Sequence, residues 1–123
     1  MSDTESLVDR DGNPISLAPV GQELLFENDH VRVWEIMLDA GASQPWHRHR
    51  NPYLVIGLEA ADNRIDSIEG GEPRLVREEA GSVVYREPGE VHMLTNHGTT
   101  RYRSHLVELK CLGEQRSEGR DDA

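Results

Sequence analysis

The chain has 123 residues, enough for one compact domain. Its 23 acidic and 13 basic side chains leave a formal charge of −10, which argues against a nucleic-acid backbone or an anionic membrane surface as partner. The longest apolar run, 53–58, is too short to span a bilayer; the opening MSDTESLVDRDG lacks the basic and apolar stretches of a secretory signal, and the lone Cys111 fits a reducing cytoplasm without internal disulfides.

Residues 1–14 are polar and end in an Asn13-Pro14 breaker, so they are expected to form a flexible N-terminal segment. Strand patterns follow in close succession at 23–27, 30–38, 46–49, 53–59, 64–68, 74–78, 82–86, 91–95 and 102–110. Turn residues separate them, among them Asn28-Asp29, Asp39-Ala40-Gly41, Gly70-Gly71, Pro88-Gly89 and Asn96-His97-Gly98. Helical periodicity is almost absent, and about 8–10 short strands without helices between them predict an all-β sandwich or barrel. The run 53–58 is apolar except at Gly57, so both of its faces should be covered, one by the barrel interior and the other by a second sheet or a subunit partner. The stretch 113–123 has no large apolar residue and is expected to be a flexible acidic tail, leaving one domain over 15–112.

Chemistry concentrates in the histidines. His47 and His49 form a His-x-His pair, and on a strand side chains at i and i+2 share a face, so both imidazoles can converge on one ion. Bonds of about 2.0–2.1 Å from zinc to nitrogen require that common face. By itself the pair also fits two ordinary exposed imidazoles.

The surrounding residues narrow the choice. From Gly41 the sequence reads Gly-x5-His47-x-His49-x3-Tyr53; from Gly81 it reads Gly-x7-Gly89-x2-His92-x3-Asn96. These blocks resemble the paired motifs of the cupin superfamily, Gly-x5-His-x-His-x3 or x4-Glu-x6-Gly and Gly-x5-Pro-x-Gly-x2-His-x3-Asn. The resemblance spans roughly 31–110 and implies a single-domain double-stranded β-helix, the cupin jelly-roll barrel, with a divalent transition metal held at its mouth by His47, His49 and His92. Three positions depart from the pattern: Tyr53 stands where the glutamate ligand is usual, Glu87 replaces the proline with Pro88 one place on, and Ala60 replaces the closing glycine, with Gly57 nearby. A neutral phenol is a poor ligand beside a carboxylate, so three imidazoles are expected to hold the ion, with water or substrate completing its shell. Tyr53 has the parity to reach the pocket, or it is simply a core aromatic.

Within cupins the chain is most similar to small bacterial proteins associated with β-alanine degradation, which also have a Trp-His-x-His block and a tyrosine in the glutamate place. Other three-histidine cupins include thiol and diketone-cleaving dioxygenases, whereas further small metal cupins are lyases, isomerases or epimerases. The expectation is a cytoplasmic, homodimeric, metal-dependent enzyme acting on a small molecule. An Fe(II) dioxygenase comes first; three imidazoles also suit zinc, nickel, manganese or copper. A metal-assisted lyase or isomerase, or a binding cupin without turnover, are the alternatives.

Other candidates carry two readings each. His105 shares parity with Val107 and Leu109, so it is either a base facing the barrel interior or an imidazole bonded within the wall; with Tyr53 it is the candidate catalytic group. Asn96 fills the motif or caps the turn after its strand, with the cap preferred. Glu87 and Glu90 either orient an imidazole, serve as an acid or base, or are exposed turn charges, with the turn charge preferred, and the run Arg77-Glu78-Glu79 is expected to be a solvated face.

Overall fold

A computed structural model describes residues 7–9 and 11–110; Cys111 and the expected acidic tail lie outside them. The strands are β1 (Leu7–Val8), β2 (Pro14–Ile15), β3 (Glu23–Glu27), β4 (Val31–Leu38), β5 (Ser43–Arg48), β6 (Tyr53–Glu59), β7 (Ala61–Ser67), β8 (Arg74–Glu78), β9 (Val83–Arg86), β10 (Val91–Asn96) and β11 (Tyr102–Leu109). No helix is present among the described residues that is long and apolar enough to cross a membrane.

All nine expected strands are present within a few residues of their predicted bounds. The short β1–β2 hairpin is additional and falls at the start of the chain, where Asp9 caps its turn by accepting from the Asp11 and Asn13 amides. β7 begins three residues before its predicted start because Ala61 and Asn63 continue the alternation that buries Ile65.

Two antiparallel sheets face one another, β5-β10-β7-β8 and β3-β4-β11-β6-β9. From β4 to β7 the chain changes sheet at every connection, so consecutive strands meet across the core rather than side by side. Alternation is clearest in β11, where Tyr102, Ser104, Leu106 and Glu108 are buried and the residues between them are half-buried. The five-stranded sheet supplies most of the apolar core: Ile36, Leu38, Tyr53, Val55, Tyr102 and Leu106. The inward face of the other sheet is polar, with Gln44, His47, Asn63, Glu78, His92 and Asn96 all buried. One wall therefore packs and the other carries the chemistry.

Two local features hold this arrangement in register. Gly57 lets the β6 backbone lie against the turn before β9: its amide donates to the Ser82 carbonyl at 2.9 Å, and a Cβ there would sit 2.2 Å from the Glu79 carbonyl oxygen. Gly57, three residues before position 60 where the motif's closing glycine is expected and Ala60 stands, thus meets a close backbone approach. Asn96 is fully buried; its Nδ2 donates to the carbonyls of Leu38 (3.0 Å) and Thr100 (2.7 Å), and its Oδ1 accepts from the Gly98 amide at 3.0 Å. The turn-capping reading of Asn96 holds, and the same side chain also ties β10 to the end of β4.

Candidate metal centre

β5 and β10 pair so that His47 lies directly opposite His92. β5 ends at Arg48, and the chain continues extended just far enough to bury His49 on the same side. The three rings meet edge to face, with centroids 5.0 Å apart for His47–His49, 4.6 Å for His47–His92 and 5.4 Å for His49–His92. One nitrogen from each lies within 4.8 Å of those from the other two. Residues 45 positions apart in sequence are thus brought to one point by a single strand pairing.

Hydrogen bonds select which nitrogen each ring presents. His47 Nδ1 is 2.7 Å from the Pro45 carbonyl, which can only accept, so Nδ1 carries the proton and Nε2 the lone pair. His92 Nδ1 donates to Glu90 Oε1 at 2.9 Å, with the same consequence for its Nε2. Glu90 is in turn gripped by both Arg74 terminal nitrogens, at 2.6 and 3.0 Å. That grip holds its carboxyl down at about 2, so it stays ionised beside the imidazole. The orienting reading of Glu90 is met in place of the preferred exposed turn charge, because Arg74 and His92 both engage its carboxylate.

All three imidazoles are neutral at neutral pH. Burial pulls His47 down to about 4, drives His49 well below the ordinary range and lowers His92, where the Glu90 carboxylate opposes the fall. Neutral rings have the free lone pair that a metal needs. His49 Nδ1 is buried and has no hydrogen-bond partner among the described residues, which leaves a polar atom that a coordinate bond would satisfy. Two oriented neutral imidazoles and a third with an unpartnered buried nitrogen fit a divalent metal ion. The imidazole set is compatible with several first-row metals.

Tyr53 stacks on His49, with ring centroids 3.7 Å apart and planes at 15°. It is buried, and burial raises its hydroxyl to about 12, so it is a neutral donor at physiological pH. Both sequence readings are met at once, since the ring belongs to the core cluster and also lines the cavity. That cavity, of about 260 Å³, opens beside His49 and His92 and is bordered by Arg74, Arg86 and Glu90. A narrower space of about 40 Å³ continues beneath all three histidines into the barrel.

His105 is not part of this group. Its position between buried Ser104 and Leu106 turns its ring to the outer face of the five-stranded sheet, where Nε2 lies 3.1 Å from Glu35 Oε1. The parity argument took Val107 and Leu109 as inward markers, but these face outward with it. The charged run on β8 needs a second correction: Glu78 is 5% exposed and accepts the Tyr102 hydroxyl at 3.0 Å across the barrel. Its parity with Val76 was the available signal, masked by the charges on either side. Arg86, which borders both spaces, was also missed, although it alternates with the half-buried Val84.

No protein-family model matches the sequence, and no curated protein matches it. Solved structures do. A cupin domain from Bordetella pertussis aligns with a TM-score of 0.64 at 22% identity, covering 76% of this chain and 99% of that one. An RmlC-like cupin family protein with a double-stranded β-helix fold from Methanocaldococcus jannaschii aligns at 0.61 and 18% identity, covering 96% and 97%. A conserved double-stranded β-helix protein from Klebsiella pneumoniae aligns at 0.56 and 18% identity, covering 80% and 90%. The chain has the double-stranded β-helix fold of the cupins, with a three-histidine cluster suited to a divalent metal at the site just described.

Proposed function

We propose that this cupin is a metal-dependent enzyme acting on a small organic molecule, and that its reaction is that of an Fe(II) dioxygenase. The observation that carries the reading is the set of three neutral imidazoles, with no carboxylate joining them among the described residues, beside a cavity of small-molecule size. Iron(II), when bound, would supply the capacity to activate dioxygen, and a three-nitrogen set leaves positions for other ligands. His47 and His92 present Nε2, His49 completes the set, and Glu90 keeps His92 in the required tautomer. Tyr53, stacked on His49 and holding its proton, would donate a hydrogen bond to substrate in the cavity.

The lyase or isomerase alternative relied on His105 or Tyr53 as proton shuttle. His105 faces the opposite side of its sheet, and Tyr53 retains its proton at neutral pH. The first removes one proton shuttle and the second leaves Tyr53 an acid but not a base, which favours the dioxygenase. The test is oxygen uptake by Fe(II)-loaded protein on a panel of thiols, β-diketones and 3-oxo acids. Uptake that stops without oxygen supports the reading; turnover that continues anaerobically overturns it, and binding without turnover leaves a ligand-binding cupin.

The same proposal places the protein in the cytoplasm as a homodimer. Leu54, Ile56, Val107 and Leu109 share the outer face of the five-stranded sheet, with Phe26, Val83 and Tyr85 exposed around them, an arrangement suited to covering by a second copy. A single monomeric species by light scattering at micromolar concentration would refute the dimer.

A further inference from the structure

Arg86 stands apart from the other arginines. Among the described residues, Arg32, Arg64, Arg74, Arg77, Arg101 and Arg103 all pair with carboxylates. Arg48 and Arg50 are engaged as well. Arg86 has no ion-pair or hydrogen-bond partner among these residues, although the chain carries ten more acidic than basic groups. It is half-buried, where leaving a cation unpaired is costly. Its charge acts on His49, His92, Tyr53 and Tyr102, and the carboxylate that shares its inner space, Glu78, is bonded to the Tyr102 hydroxyl rather than to Arg86. The adjacent Glu87 lies exposed on the rim without pairing to it.

Arg74, the other cation at the cavity, is neutralised by its two-point grip on Glu90. Arg86 is therefore the cationic group left for a ligand. A guanidinium offers a planar fork that matches a carboxylate with two parallel hydrogen bonds. Phosphate sites assemble several donors, commonly at a helix N-terminus, and no helix is found among the described residues. A space of about 260 Å³ suits a small organic guest.

We propose that Arg86 is the anchor for a small carboxylate substrate, held with its reactive end toward His49, His92 and the Tyr53 hydroxyl. This rests on the reading of the cavity as the substrate site, but Arg86 can bind an anion whether or not a metal is present. The test therefore uses chelator-stripped protein, so that its outcome is independent of metal-dependent turnover.

Acetate, lactate and malonate are titrated by amide-resolved NMR against their uncharged amides. At least one carboxylate is expected to bind about tenfold or more tightly than its amide, the scale of a charge-assisted pair, with shifts centred on residues 85–92. Arg86→Gln should abolish that preference and leave amide binding within about twofold, while Arg86→Lys should restore part of it, since a point charge lacks the fork. Binding of carboxylate and amide with equal affinity by the wild-type protein would overturn the proposal without recourse to any variant. So would a preference that survives in a folded Arg86→Gln protein. Tighter binding of inorganic phosphate than of every carboxylate, lost in Arg86→Gln, would replace the carboxylate assignment with a phosphate one.

Discussion

Replacing Asn96 by alanine removes three hydrogen bonds from a fully buried side chain. The bond to the Leu38 carbonyl is wholly buried, and an acceptor left unsatisfied there costs about 1–3 kcal/mol. The bonds to the Thr100 carbonyl and from the Gly98 amide are partly accessible, so water can replace them at about 0.5–1.5 kcal/mol each. The loss comes to about 4 kcal/mol. For a domain of roughly 100 ordered residues the entropy of unfolding is near 0.2 kcal/mol/K, so the melting temperature should fall by about 20 °C. Urea unfolding followed by tryptophan fluorescence measures the free energy, and thermal unfolding followed by circular dichroism measures the midpoint. Asn96→Asp sharpens the test: it keeps the oxygen facing Gly98 but sets a second oxygen against the two carbonyls, and should destabilise at least as much as alanine. A loss below about 1 kcal/mol in Asn96→Ala, or wild-type stability in Asn96→Asp, would refute this account of the β4–β10 junction.

Three further outcomes are expected. Glu90→Ala frees the His92 ring from its orienting carboxylate and should weaken metal binding by about 10–100-fold in a competition titration with a chelator. Tyr53→Phe retains the stacked ring and deletes the hydroxyl, so metal content should be unchanged while turnover on an accepted substrate falls by at least about tenfold; unchanged turnover would reduce Tyr53 to packing. Gly57→Ala forces a methyl group against the Glu79 carbonyl and should cost about 1–3 kcal/mol of stability by urea unfolding, with no effect on the metal affinity of the folded fraction.

The strands most legible in the sequence were those with an unambiguous local signal. The 53–58 run and the alternation around Trp34 and Ile36 predict β6 and β4 directly, and the His47-x-His49 spacing places both rings on one side by strand parity alone. β11 was legible as a strand but not in its facing. Val107 and Leu109 on its outer side are as apolar as Leu106 within, while Ser104 and Glu108 on its inner side are polar, so polarity pointed His105 the wrong way. Buried carboxylates inside this barrel find distant partners: Glu108 accepts from Trp34 Nε1 at 2.8 Å and from Arg32 at 3.0 Å on the neighbouring strand, and Glu78 accepts from Tyr102 of the facing sheet. Such partners lie 24 to 76 residues apart, and no local pattern announces them. Glu90 could be read as an orienter of His92, two residues away, but its anchor Arg74 was hidden because it lies on β8.

The central claim is that His47, His49 and His92 hold a divalent metal. Elemental analysis of untagged protein purified without oxygen tests it most directly, with the His47→Ala, His49→Ala and His92→Ala proteins prepared in parallel. The expected result is close to one equivalent of a divalent transition metal per chain in the wild type, iron under anaerobic preparation, and a marked loss in each folded variant, because two imidazoles leave too few protein ligands. Full metal occupancy in any one of the three variants, or a wild-type protein that neither contains nor takes up a stoichiometric metal, would contradict it.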